Sequence, residues 1–195
     1  MAKLYFRYSP MGAGKSIDLL KVAYNYEERG LGVILFTAKL DNRYGVGKIH
    51  TRIGLSRDAY TFDADINLFD VVQNKCRPAC VLVDEAQFLS TKHVDQLSDI
   101  VDFLDIPVIC YGLRADFRNE LFEGSKRLFT IADKIEELKT ICDCGKKAVM
   151  NMRLLDGKIV TIGEQILIGD AEYKSVCRKC YKEKIANDFK KDVNV

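Results

Sequence analysis

Residues 9–16 read SPMGAGKS, residues 81–88 read VLVDEAQF, and cysteines stand as CDCG at 142–145 and CRKC at 177–180. The first stretch differs by one letter from the phosphate-cradling pattern G-x-x-x-x-G-K-[ST], because Ser9 stands where the first glycine belongs. Such a loop needs backbone N–H groups aimed at phosphate oxygens, with a helix N-terminus behind them. Gly12 and Gly14 let the backbone approach closely. Lys15 supplies charge to the β- and γ-phosphates, and the Ser16 hydroxyl is a magnesium ligand. Asp84, at the end of an apolar strand, fits the second magnesium-associated carboxylate, acting through water. Glu85, on the alternate face of an extended chain, is free to accept a proton from whatever attacks the γ-phosphate. Attack by water makes an ATPase and attack by a substrate hydroxyl makes a kinase. The acidic pair does not choose between them.

The two cysteine pairs, Cys142/Cys144 and Cys177/Cys180, are separated by 32 residues. Tetrahedral zinc takes four thiolates, and CRKC has the usual two-residue spacing. CDC is one residue short, which predicts a less regular first knuckle. Cys76, Cys80 and Cys110 read as buried or surface thiols, the last two inside apolar strands. His50 and His93 have no partner at ligand spacing and read as ordinary residues.

These groups need elements to hold them. LYFRYS (4–9) reads as a short strand, followed by the glycine-rich turn and a helix from about Lys15 to Arg29. Ile17, Leu20, Tyr24, Val22 and Tyr26 are expected to form its buried face, and Gly30 or Gly32 its left-handed cap. VILFTA (33–38), CVLVD (80–84) and PVICYG (107–112) are apolar runs of strand length, as in parallel strands covered on both faces. Residues 91–104 read as a helix with Val94, Leu97, Ile100, Val101 and Leu104 inward. Alternating strands and helices predict an α/β fold whose mostly parallel sheet is flanked by helices, with ligands at the carboxyl edge. The pattern changes near Leu138. Residues 139–195 hold four cysteines and short β-like runs (KIVTIG, QILIG), too little apolar mass for a second core, so they read as a small zinc-ribbon-like lobe. The predicted division is therefore 1–138 and 139–195.

Composition narrows the classes. The chain has 195 residues, 48% hydrophobic and 30% charged, with a net charge of +2. That near-neutrality leaves no electrostatic footprint for a nucleic-acid polymer. The excess of 12 basic over 8 acidic residues in 139–195 reads as a solvated tail. No apolar run approaches the roughly 18 residues that span a bilayer, and MAKLYFRYS does not read as a signal peptide, so a cytoplasmic protein is expected.

In this order the motifs resemble the type II thymidine kinases, which join a P-loop (RecA-like) lobe to a zinc ribbon. SPMGAGKS resembles their phosphate loop, AKLDNRY (38–44) their K-x-D-x-R-[YF] segment and VDEAQF their acidic strand end. YGLRADFR (111–118) resembles their substrate-facing loop, and YKSVCRKCY (173–181) their second knuckle with its pocket tyrosine. Ser9 and the short CDC knuckle are the departures.

The resemblance implies phosphoryl transfer from ATP to the 5′-hydroxyl of thymidine, with Glu85 as general base. Ser9, Pro10, Met11, Gly12, Ala13, Gly14, Lys15 and Ser16 would hold the phosphates, with Asp84, Gln87 and Arg43. Ser16, Asp41 and Asp84 would serve magnesium. Met11, Phe88, Leu113, Phe117 and Tyr173 would wall the nucleoside. A loop at about 151–173, including Leu167, Ile168 and Gly169, would cover it, gripping the base through backbone groups. The family further implies a structural zinc at the four cysteines, a homotetramer and dTTP as feedback inhibitor, with no nucleic-acid or membrane partner. The competing reading is a P-loop ATPase acting on nucleic acid through a zinc ribbon, because DEAQ equally resembles a helicase motif.

Overall fold

The computed structural model describes residues 1–75, 77–167 and 172–193. Cys76, Ile168 and Gly169 lie outside them. β1 (Leu4–Ser9), α1 (Lys15–Glu27), β2 (Val33–Ala38), the short pair β3 (Lys48–His50) and β4 (Ser56–Asp58), β5 (Tyr60–Phe62) and α2 (Leu68–Gln73) come first. β6 (Cys80–Val83), a 3₁₀ turn at Ala86–Phe88, α3 (Thr91–Leu104), β7 (Val108–Leu113), α4 (Glu123–Ile131) and β8 (Lys134–Glu137) follow. Six of these strands form one sheet in the order β5-β2-β6-β7-β1-β8. Every pairing in it is parallel.

Alternation along the strands divides the core into two layers. Val81 and Val83 pack on one face with Phe6, Phe36, Val94, Leu97, Ile100 and Leu128. Leu82 and Cys80 point to the other face, with Leu35, Ile109, Tyr111 and the α1 residues Leu19, Leu20 and Ala23. Helices therefore cover both faces, as the unbroken apolar strand runs require. The buried stripe of α1 departs from expectation in part: Leu20 belongs to it and Val22 and Tyr26 pack against it half-buried. Leu19, Leu20 and Ala23 form it, while Tyr24 is 59% exposed. Tyr24 lies four positions from Leu20, but the sheet side of the helix is set by the small Ala23 beside it. Of the two candidate caps, Gly30 serves. At φ 72 it lets Leu31 N–H donate to the Tyr26 carbonyl and its own N–H to that of Glu27, closing the helix in a Schellman motif.

α3 begins with a reciprocal cap. The Ser90 hydroxyl accepts from His93 N–H, and Ser90 N–H donates to His93 Nδ1, so His93 is a capping residue. Gly124 in α4 faces the turn that follows the acidic pair. A Cβ there would lie 2.5 Å from the Ala86 carbonyl oxygen and 2.7 Å from that of Leu89. Both obstacles are backbone, so Gly124→Ala is expected to cost about 1–3 kcal/mol. Thermal unfolding should read this as a fall of roughly 2–4 °C per kcal/mol for a chain of this size; an unchanged midpoint would refute the tight packing.

After Glu137 the strands shorten. β9 (Thr140–Ile141) pairs with β10 (Lys147–Ala148), and β11 (Met150–Leu155) pairs antiparallel with β12 (Lys158–Val160) and β13 (Glu172–Val176), before α5 (Arg178–Val193). β12 lies within KIVTIG. Residues 165–167 of QILIG form no strand; their side chains face the cavity described below instead of a ladder partner. A separate apolar cluster (Ala148, Met152, Leu154, Val176, Tyr181) packs around Cys142 and Cys177. Among the described residues no helix is long and apolar enough to cross a membrane.

Candidate active site

The carboxyl ends of β1, β6 and β7 open onto a cavity of about 760 Å³, within the range of small-molecule sites. At the end of β1 the chain turns through Gly12 (φ 70) and Gly14 (φ 80), and α1 starts at Lys15. The Lys15 ammonium is buried and donates to the Ser9 hydroxyl at 3.2 Å and the Pro10 carbonyl at 3.1 Å. Ser9 itself is fully buried. The serine that replaces glycine thus gives the loop lysine a resting partner. Burial pushes the Lys15 pKa down, against the pull of Glu85 and Asp84.

Ser16 Oγ donates to Asp84 Oδ2 at 2.7 Å. Burial, aggravated by the neighbouring Glu85 charge, pushes the Asp84 carboxyl up to about 7, with the Ser16 hydroxyl opposing. A buried carboxylate beside a hydroxyl is a hard-oxygen donor set in need of positive charge, and it fits magnesium. Asp41 is held bidentately by Arg43, at 2.7 and 2.8 Å. Arg43 also reaches Glu85 Oε1 at 3.2 Å.

The strand ends at Val83, so the alternation expected to turn Glu85 away from Asp84 does not reach it. Glu85 adopts a left-handed conformation (φ 52, ψ 37), and both carboxylates line the cavity. A non-glycine residue held there stores of order 1 kcal/mol of strain, and such residues concentrate at working sites. Gln87 Nε2 donates to Glu85 Oε2 at 2.5 Å, while Gln87 Oε1 accepts from Leu113 N–H at 3.0 Å. The glutamine thereby ties the acid to the end of β7. Gly112 makes room for it, since a Cβ there would stand 2.9 Å from Gln87 N.

Met11, Phe88, Leu113, Phe117, Leu167 and Tyr173 also line the cavity, as do Gly12, Ala13, Gly14, Asp41 and Arg43. Ser9 and Pro10 lie behind it, against Asn151 and Ala115. The lining includes residues that the sequence reading missed. Arg52, on the β3–β4 turn, extends its guanidinium to within 3.6 Å of where a Gly12 Cβ would be. Nothing in the spacing around Arg52 signals this, because the hairpin carrying it is short and largely exposed. Asn151 was legible in principle. MNMRL alternates apolar with polar, the pattern of a half-buried strand. Its Oδ1 accepts from Met11 N–H at 2.8 Å and its Nδ2 donates to the Ala115 carbonyl at 2.9 Å. The Ser175 hydroxyl donates to the Met11 carbonyl. Asn151 and Ser175 are cross-strand partners, so one rung of the ribbon holds both sides of a phosphate-loop residue.

All four sulfurs of Cys142, Cys144, Cys177 and Cys180 lie within 4.8 Å of one another, with Cys144 and Cys177 3.6 Å apart. A tetrahedron with Zn–S bonds of about 2.3 Å has edges of about 3.8 Å, so the cluster fits zinc. The short CDC knuckle works because Gly145, at φ 79, folds back to donate to the Cys142 carbonyl. Cys80 and Cys110 are buried, and burial pushes the Cys80 thiol up to about 12, so both are packing residues.

The family model described as thymidine kinase matches residues 2–181. A thymidine kinase of Haemophilus influenzae (strain ATCC 51907 / DSM 11121 / KW20 / Rd) is 57% identical over 189 residues, covering 94% of this chain and 98% of its own. That of Pasteurella multocida (strain Pm70) is 56% identical over 191 residues (95% and 100%). That of Lactococcus lactis subsp. lactis (strain IL1403) is 55% identical over 184 residues (93% and 97%).

Proposed function

The chain belongs to the thymidine kinase family, and from that premise we propose how its site transfers phosphate. The reaction is transfer of the γ-phosphoryl group of ATP to the 5′-hydroxyl of thymidine, giving dTMP and ADP. The observation that carries the assignment of roles is that Lys15, Ser16, Asp84 and Glu85 line one cavity with Phe88, Leu113, Phe117 and Tyr173. A triphosphate cradle and an apolar nucleoside pocket therefore share Glu85 between them.

Backbone N–H groups of residues 12–16 and the Lys15 ammonium hold the β- and γ-phosphates. Ser16, Asp84 and Asp41 would hold Mg²⁺, which would neutralise charge on the transferring group. The bond from the 5′-oxygen to Pγ forms as the bond from Pγ to the β-bridging oxygen breaks, and the hydroxyl proton goes to Glu85. Gln87 and Arg43 aim that carboxylate, and Arg43 also holds Asp41. The walls and the covering segment at about 151–173, with Leu167, Ile168 and Gly169, exclude water so that the hydroxyl wins. Residues 1–138 supply the nucleotide machinery and residues 139–195 the zinc-dependent cover.

To the same reading belong a homotetramer, dTTP as feedback inhibitor and a cytoplasmic location, with neither nucleic acid nor membrane as partner. A panel of nucleosides incubated with ATP and Mg²⁺ tests it. Thymidine should yield dTMP. ATP hydrolysis stimulated by nucleic acid, with no phosphorylated nucleoside, would establish the ATPase reading instead.

A further inference from the structure

The β11–β13 ladder has two unlike faces. Met152, Leu154 and Val176 belong to the apolar cluster beside the cysteines. Asn151, Arg153, Tyr173 and Ser175 form the opposite face, and the register pairs Asn151 with Ser175 and Arg153 with Tyr173. The first rung grips the phosphate loop at Met11, as described above.

Arg153 on the second rung is only 3% exposed. Its Nε donates to the Tyr173 hydroxyl at 2.6 Å, Nη1 to the Glu164 carbonyl at 2.8 Å and Nη2 to the Gln165 carbonyl at 3.1 Å. The guanidinium carbon lies 3.7 Å from the centroid of the Phe117 ring. One buried cation therefore touches an aromatic wall on the loop after β7, a second on β13, and two successive backbone carbonyls of the segment between β12 and β13. A planar fork with five fixed donors can satisfy all of these at once, whereas a lysine ammonium cannot. Burying the charge is costly unless those donors are used, so the partners are held to the guanidinium as firmly as it is held to them.

We propose that Arg153 is a positioning residue for the nucleoside site: it pins residues 164–165 and the Tyr173 and Phe117 rings into the shape that receives thymidine. It acts through those groups and touches no reacting atom. The inference rests on the reading of 151–173 as the covering segment.

The test uses zinc-loaded, full-length Arg153→Lys and Arg153→Met variants. Backbone hydrogen exchange over residues 159–167, measured without substrates, should accelerate about tenfold or more in both, the scale of losing charge-assisted hydrogen bonds. Exchange in 9–16 should stay as in the native chain. KM for thymidine should rise about tenfold or more on the same grounds, with KM for ATP within about threefold. Unchanged exchange in 159–167 in the folded lysine variant would overturn the proposal. So would an equal rise in both KM values, or loss of zinc from the lysine variant, since either would mark Arg153 as general scaffolding. The exchange result stands apart from the activity. Native protein that makes no dTMP would instead defeat the reading on which the inference rests.

Discussion

A Glu85→Gln enzyme is expected to phosphorylate thymidine about 10²–10⁴-fold more slowly than the native chain, with ATP affinity within a fewfold of normal. The substitution keeps shape and one oxygen, which Arg43, 3.2 Å from Oε1, retains as acceptor, at the loss of the bond that Gln87 Nε2 donates to Oε2. What disappears is the acceptor for the 5′-hydroxyl proton, and that loss falls on the transition state alone. ATP is held elsewhere, by the loop N–H groups, Lys15 and the Ser16–Asp84 pair. Calorimetric ATP binding and single-turnover dTMP formation separate the two effects; near-native turnover would remove Glu85 as base. The backbone adds a second readout. Because Glu85 sits at φ 52, Glu85→Gly should relieve strain, leaving stability equal or higher by up to about 1 kcal/mol, while turnover is lost. A stabilised but inactive variant is the signature of strain retained for catalysis.

The parts of the molecule legible in the sequence are those with a strong period or a dense motif. The runs 33–38, 80–84 and 107–112 announce parallel strands because both faces must be apolar. The phosphate loop announces itself because its chemistry requires particular residues at fixed spacing. What escaped was information carried by the fold alone. Tyr24 fits the helical period as well as Leu20 does, and only the sheet decides that Ala23 is the residue it meets. Ser9 reads as a missing glycine, but its hydroxyl proves to contact the Lys15 ammonium. Arg52 reaches the phosphate loop from an exposed hairpin with no apolar pattern to mark it. Arg153 looks like one of many surface cations until the antiparallel register places it over Phe117, far from any residue near it in the chain. Glu85 shows the converse error. Strand alternation does not extend to it, because Glu85 lies two residues past Val83, where β6 ends.

Stripping zinc is expected to abolish dTMP formation, by about 10²-fold or more, while most of the parallel sheet stays folded. The magnitude follows from what the metal holds. Among the described residues, five buried apolar side chains accompany the cysteines in this cluster, and structural zinc in such small ribbons carries the folding free energy itself. Without it, β11 and β13 lose their register, and four separate grips on the site go together. Asn151 and Ser175 release Met11, Arg153 releases the 164–165 carbonyls and Tyr173, and the Tyr181 hydroxyl releases the Phe117 carbonyl it now bonds at 2.7 Å. ATP affinity should fall too, because the freed Met11 is part of the phosphate loop, but less than thymidine affinity, because Lys15, Ser16 and Asp84 lie on elements that the ribbon does not build. Cys177→Ser should reproduce the pattern. Metal analysis of the native chain should find about one zinc per chain, and restoring zinc to the stripped protein should restore activity. Full activity in metal-free protein would refute a structural role for the metal. Loss of thymidine binding with ATP binding wholly untouched would refute the grip of the Asn151–Ser175 rung on the phosphate loop.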